Sequence, residues 1–192
     1  EASVSSRRDA MFAGAPINAS EGQPALHIAL RAPSTQKIVV DEIDVVKEVQ
    51  QVRHSMAEFA NGVRSGKIVG ATGKPFTHII NVGIGGSDLG PALVWDALSQ
   101  TLTPSLHCSF VSNIDPVDVE KVLEGHDAQH TLIVMCSKTF STTETLSNGR
   151  IIQQWLASSV GDAGVAQHCV VVSVDPQRAT TAGIAFAHSF NI

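Results

Sequence analysis

Downstream of residue 75, short runs of β-branched and other apolar residues alternate with longer stretches of helical spacing. The runs cover His78–Val82, His107–Val111, residues 132–136 and residues 169–174, with 186–190 as a weaker fifth. Helical stretches lie between them at 88–98, 116–123, 142–157 and Pro176–Thr181. This alternation is the pattern of consecutive βαβ units, which build a parallel sheet and place the chain in the α/β class. Helix starts are marked by Asp115-Pro116 and Asp175-Pro176, each an N-cap carboxylate before proline at the first helical position. Ser141 and Glu144 have capping-box spacing, which predicts a helix start at Thr142.

Upstream the pattern differs. Residues 1–33 are irregular, with turn signals at Gly14-Ala15-Pro16 and Glu21-Gly22-Gln23-Pro24 around a short apolar stretch at 25–30. This predicts an arm carrying one short helix. Over 42–65 the apolar residues Val45, Val46, Val49, Val52, Met56, Phe59 and Val63 recur at helical spacing and predict an amphipathic helix. The expected division is an arm and helix over 1–70 and an α/β domain over 71–192. The first residue is Glu1 rather than Met, and the last five alternate like the middle of a strand. Both features lead us to expect a piece of a longer chain.

A length of 192 residues suits one principal core, and 43% apolar with 16% charged residues is a globular composition. The formal net charge of −5 argues against a nucleic-acid footprint, and the nearest thing to a basic patch is the pair Arg7-Arg8. Any anion must therefore be held locally. Cys108, Cys136 and Cys169 are odd in number, far apart and each inside an apolar run, so buried reduced thiols are expected rather than disulfides. No apolar segment approaches the ~20 residues that span a bilayer, and no leader-like segment precedes Arg7-Arg8. A cytoplasmic location without membrane partners is expected.

Two turns could carry chemistry. The first reads Asn81-Val82-Gly83-Ile84-Gly85-Gly86-Ser87-Asp88-Leu89-Gly90-Pro91, glycines at a strand tip leading into a helix. Glycine there lets backbone approach a ligand, and amides at a helix start favour an anion. The dinucleotide fingerprint fails because Asp88 stands where glycine is needed, and a Walker loop fails because Pro91-Ala92 replaces Lys-Ser/Thr. A turn that only lets the helix pack on the strand accounts for the glycines equally well. The second turn runs from Ser137 to Thr145 and holds six hydroxyl residues in nine positions. Helix capping explains some of them, but not Ser137, Lys138 and Thr139, which precede the cap. If the sheet has flavodoxin-like strand order 2-1-3-4-5, these two turns follow neighbouring strands at the switch point, where ligands bind. Neutral donors, helix amides and Lys138 would then face a small phosphate ester.

Other candidates are weaker. His126 and His130 are four apart, but nothing completes a metal set, and they are expected to be solvent-exposed. Asn113 and Asp115 could reach the cleft or simply serve capping and turn formation. Trp95 and Trp155 read as core or interface residues. No Gly-x-Ser-x-Gly elbow is present, and no Ser/His/Asp or Cys/His set can be assembled from sequence.

Three segments taken together resemble the glucose-6-phosphate isomerase family: residues 81–91, Phe-Val-Ser-Asn-Ile-Asp at 110–115, and Ser-Lys-Thr-Phe-Ser-Thr-Thr-Glu-Thr at 137–145. Arg8-Asp9-Ala10-Met11-Phe12, Ile17-Asn18, Glu21-Gly22 and residues 26–31 are similar to that family's arm. The resemblance implies a sugar-isomerase (SIS) domain, a three-layer αβα sandwich with a five-stranded parallel sheet. It also implies a homodimeric parent that interconverts glucose 6-phosphate and fructose 6-phosphate without metal or organic cofactor. Carried over, the phosphate contacts fall on Gly86, Ser87, Ser137, Lys138, Thr139 and Thr142. The family's glutamate base, arginine, histidine and lysine belong to segments after Ile192, so the resemblance assigns no catalytic residue here. It implies a chain that binds sugar phosphate without turning it over. Thr143, Gln23 and Pro116-Val117-Asp118 depart from the commoner pattern, away from the expected contacts. The other reading is a non-catalytic SIS module that senses a phosphosugar; the arm signature at Arg8 to Phe12 speaks against it.

Overall fold

The computed structural model describes residues 2–101 and 106–192. They fall into two compact units, Glu1–Met56 and Ala57–Ile192.

The first unit opens with α1 (Ala2–Phe12), which the sequence reading missed. Arg7, Arg8, Ala10 and Met11 favour a helix locally, but no apolar stripe accompanies them, and Val4 and Phe12 stay exposed. The short helix expected at 25–30 is a 3-10 turn, Leu26–Arg31. A two-residue hairpin follows, β1 (Val39–Val40) against β2 (Ile43–Asp44). Asp41 and Glu42 form its tip at φ 49° and 69°, the left-handed pair that suits the twist of a tight hairpin. The helix predicted from residue 42 therefore starts three residues later, as α2 (Val45–Arg64). Ala29, Ala32, Ile38 and Val46 form a small core in this unit.

The second unit is the α/β domain. Its elements are β3 (His78–Val82), α3 (Gly86–Ser99), β4 (His107–Val111), α4 (Pro116–Glu124), β5 (Thr131–Cys136), α5 (Thr143–Val160), α6 (Asp162–Val165), β6 (Cys169–Ser173), α7 (Pro176–Thr181) and β7 (His188–Asn191). The five strands are parallel in the order β4-β3-β5-β6-β7. That is the expected 2-1-3-4-5 order. The fifth strand starts two residues later than the apolar run suggested: Ala187 N–H bonds the Cys169 carbonyl at 3.2 Å, and paired register begins with His188 opposite Val170.

Alternate residues of each strand serve opposite faces. Ile80, Val82, Ile133, Met135 and Val171 join Val119 and Leu123 of α4 and Ile152 and Leu156 of α5 in the larger core. On the other face Leu132, Val170 and Phe76 pack with Val63 and Phe59. Helices on both faces make the three layers, and each fully buried isoleucine contributes about 1.5–3 kcal/mol through lost apolar surface. His168 is a buried polar member of the packing. Its Nε2 accepts from Ala71 N–H at 2.9 Å while Nδ1 donates to the Thr131 carbonyl at 2.9 Å, so both ring nitrogens are used. Asp115 and Asp175 cap α4 and α7 as expected, accepting from Val117 N–H at 3.0 Å and Gln177 N–H at 3.2 Å.

The histidines gather at the end of the sheet where the strands begin. His126 is half-buried rather than exposed, bonded to Ser109 Oγ at 3.1 Å and to the Val122 carbonyl. His130 is also half-buried, with Nδ1 2.8 Å from the Pro75 carbonyl oxygen. His78 stacks on His107 at 5.6 Å and meets His126 edge-on at 4.8 Å. Burial first, then the neighbouring His126, His107 and His130, lower the His78 pKa below 6.5, with Asp127 opposing. The unfolded chain therefore takes up this proton first as pH falls through about 6.5, and the stability present above that pH is lost below it. Thermal unfolding at pH 7.5 and 5.5 should show a lower midpoint in acid, and the drop should be smaller in His78→Gln. An equal drop in both proteins contradicts the assignment.

Candidate functional site

β3 ends at Val82 and the chain turns through three residues into α3. Gly83 makes this turn possible, since a Cβ there would lie 2.7 Å from the Ser87 carbonyl oxygen. Gly85, the N-cap, has φ 58° and ψ −122°, a conformation essentially reserved for glycine. The helix starts two residues earlier than predicted, so Gly86 and Ser87 form its first turn. Their position combines amide dipoles with a serine hydroxyl. Gly86 is exposed, with open space around its Cα, and Ser87 is half-buried. Part of the glycine pattern is thus packing, at Gly83, and part leaves backbone accessible, at Gly86.

After β5 the chain enters the second turn. Ser137 is buried and its Oγ accepts from Phe140 N–H at 3.1 Å; a hydroxyl that accepts one bond keeps its own proton to donate. The Lys138 carbonyl is pinned by Val174 N–H at 3.1 Å and Ser173 Oγ at 3.0 Å. Phe140 is buried at φ 47°, a strained conformation for an aromatic residue. The expected capping box is not formed. Thr142 is the N-cap of α5 without a side-chain cap bond, and Ser141 Oγ instead lies 2.7 Å from Thr139 Oγ1. The tight turn at Phe140 directs Ser141 toward Thr139.

β3 and β5 are hydrogen-bonded neighbours in register, with Val82 opposite Met135. Both turns therefore leave the same end of the sheet, the carboxyl end of its strands, from adjacent strands. The six singled-out residues Gly86, Ser87, Ser137, Lys138, Thr139 and Thr142 lie in these turns or the first residues after them. Helix-start amides, hydroxyls and one ammonium are donors suited to a tetrahedral oxyanion.

Sequence reasoning missed Asn81. It is buried, donates from Nδ2 to the Ser87 carbonyl at 3.1 Å, and accepts at Oδ1 from Cys136 Sγ at 3.5 Å. Its place at the strand end before the glycines was the available signal. Asn113 and Asp115 are occupied locally: Asn113 Oδ1 accepts from Asp115 N–H at 3.2 Å, and the Asn113 carbonyl accepts from Asn148 Nδ2 at 2.8 Å. Asp88 is buried in the first turn of α3, and its Oδ1 has no hydrogen-bond partner among the described residues.

The three thiols are free. Burial pushes Cys136 up to about 11, Cys169 to about 12, and Cys108 above its ordinary value. They stay protonated near neutrality and are poor nucleophiles. Trp95 lines an apolar groove between α3 and the sheet, with Ile79, Pro91, Val94, Leu98 and Phe110, while Trp155 packs on the larger core. The groove walls offer little to an anion. Among the described residues no set of three or more His, Cys, Asp or Glu could hold a metal ion, and no helix is long and apolar enough to cross a membrane.

The family model for phosphoglucose isomerase matches residues 1–192. A glucose-6-phosphate isomerase of Mycolicibacterium smegmatis is 47% identical over 183 residues, covering 95% of this chain and 33% of the relative. One from Frankia casuarinae is 43% identical over 189 residues, covering 98% and 34%. A crystal structure of a glucose-6-phosphate isomerase from Chlamydia trachomatis superposes with a TM-score of 0.78 at 26% identity, over 98% of this chain and 36% of that one. The chain thus spans about a third of the length of the relatives it matches. On sequence and fold together, it belongs to the phosphoglucose isomerase family.

Proposed function

We propose that this chain is the sugar-phosphate-binding part of an enzyme that interconverts glucose 6-phosphate and fructose 6-phosphate, a step shared by glycolysis and gluconeogenesis. Residues 71–192 are its SIS domain and 1–70 its arm. The observation that carries the reading is the pairing of β3 with β5, which sets the two donor-rich turns side by side. Gly86 and Ser87 grip the phosphoryl group from the first turn of α3, and Ser137, Lys138, Thr139 and Thr142 from the other side. The strained Phe140 backbone sits inside this grip, where conformational cost is expected to serve binding.

Holding the phosphate fixes the far end of the sugar and so positions C1 and C2, the carbons between which a proton must move. That transfer through an enediol needs a base near C1 and C2 and a cation over the developing oxyanion. The carboxylates nearest the two turns in sequence, Asp88 and Glu144, stand in the first turns of α3 and α5, where an acidic group favours the helix start. By the family resemblance, no catalytic residue is assigned in residues 1–192; the homodimeric, cytoplasmic parent supplies them, with no cofactor.

Glucose 6-phosphate titrated into the chain should shift the amide resonances of Gly86, Ser87, Thr139 and Thr142 together. Ser137→Ala should weaken binding about tenfold, the loss of one hydrogen bond to a charged group. Shifts confined to one turn, or none, refute the site. Gly83→Ala should weaken the same binding, because the new methyl must push Ser87 away; unchanged affinity would count against the packing argument. The chain alone should give no fructose 6-phosphate in a coupled assay, and appreciable turnover would overturn the assignment of catalysis elsewhere.

A further inference from the structure

The Asn81 side chain bonds both the glycine turn and the last residue of β5, from which the hydroxyl turn departs. Its Nδ2 donates to the carbonyl of Ser87, in the first turn of α3, at 3.1 Å. Its Oδ1 accepts at 3.5 Å from the thiol of Cys136, the residue immediately before Ser137. The side chain is 7% exposed and is flanked in the sheet by Phe110 and Val134. We propose that Asn81 is a positioning residue that holds the glycine turn and the hydroxyl turn at the separation one phosphoryl group requires. This rests on the phosphate reading above.

The chemistry fixes the amide's orientation. A carbonyl opposite one end demands the NH2 group there, and a thiol opposite the other end donates to the oxygen. Cys136 can donate because burial keeps it protonated, its pKa pushed up to about 11. Aspartate would place a carboxylate oxygen against the Ser87 carbonyl, and a leucine-like side chain would leave that carbonyl unpaired in an apolar setting. Asparagine is the residue of this size that donates on one side and accepts on the other. Backbone pairing sets the register of β3 and β5 but stops at the strand ends; Ser87 lies five residues past Val82, and this link ties it back.

The test uses the 192-residue chain and titrates glucose 6-phosphate while following the Ser87 and Thr139 amides separately. In the wild type both should saturate with one dissociation constant. Asn81→Ala and Asn81→Asp should weaken binding about tenfold, with the Ser87 and Thr139 curves no longer coincident. Cys136→Ala should weaken it less, and Cys136→Ser, which restores a donor, should recover most of that loss. A merely structural role would lower the thermal midpoint of these variants yet leave the affinity of the folded protein unchanged, and that result overturns the inference. Should the Asn81 variants fail to fold, the wild type decides: its Asn81 side-chain NH2 resonances must shift on saturation although Asn81 touches no ligand, and unmoved resonances overturn it. A wild type that does not bind removes the phosphate reading itself, a failure distinct from variants that bind as the wild type does.

Discussion

The parallel pairing of β3 with β5 is the constraint on which the rest depends. Because β4 lies on one side of β3 and β5 on the other, the chain leaves β3 and β5 in turns that no crossover helix separates. Residue-for-residue register from His78 opposite Thr131 to Val82 opposite Met135 brings the strand ends level. A slip of β3 by one residue would turn Ile80 and Val82 away from the larger core they share with Ile133 and Met135, so the hydrophobic effect that fixes the core also fixes the relative position of the turns.

Each turn is then shaped by a device of its own. The first relies on missing side chains, at Gly83 for the close approach of Ser87 and at Gly85 for a positive φ. The second relies on hydrogen bonds that hold a costly backbone: Ser137 Oγ to Phe140 N–H, and the Lys138 carbonyl between Val174 N–H and Ser173 Oγ. The β6 end thereby supports the hydroxyl turn from behind. On the proposed reading, donors held in place before a ligand arrives lower the ordering cost of binding.

The domain was legible in the sequence where one physical signal dominated. Strands of the parallel sheet are buried on both faces, so 132–136 and 169–174 stood out as apolar runs, and the Asp-Pro pairs marked two helix starts that the structure keeps. Legibility failed where local and tertiary preferences competed. α1 has helix formers but no stripe, the hairpin at Asp41-Glu42 needs left-handed residues that neither side chain advertises, and Ser141 forgoes its cap because Phe140 turns the backbone. His126 looked like a loop residue, yet its partners Ser109 and His78 come from β4 and β3, which only the fold brings near. The two turns were visible as residue patterns; the bonds of Asn81 to Ser87 and Cys136 were not, because a lone asparagine at a strand end has no periodicity, only its place before the glycines, to mark it.

A crystal structure of the chain soaked with glucose 6-phosphate is the most direct measurement of the central claim. The account predicts one phosphoryl group bonded at once to the Gly86-Ser87 turn and to side chains between Ser137 and Thr142. A phosphoryl group seated on one turn alone, or in the apolar groove beside Trp95, would contradict it.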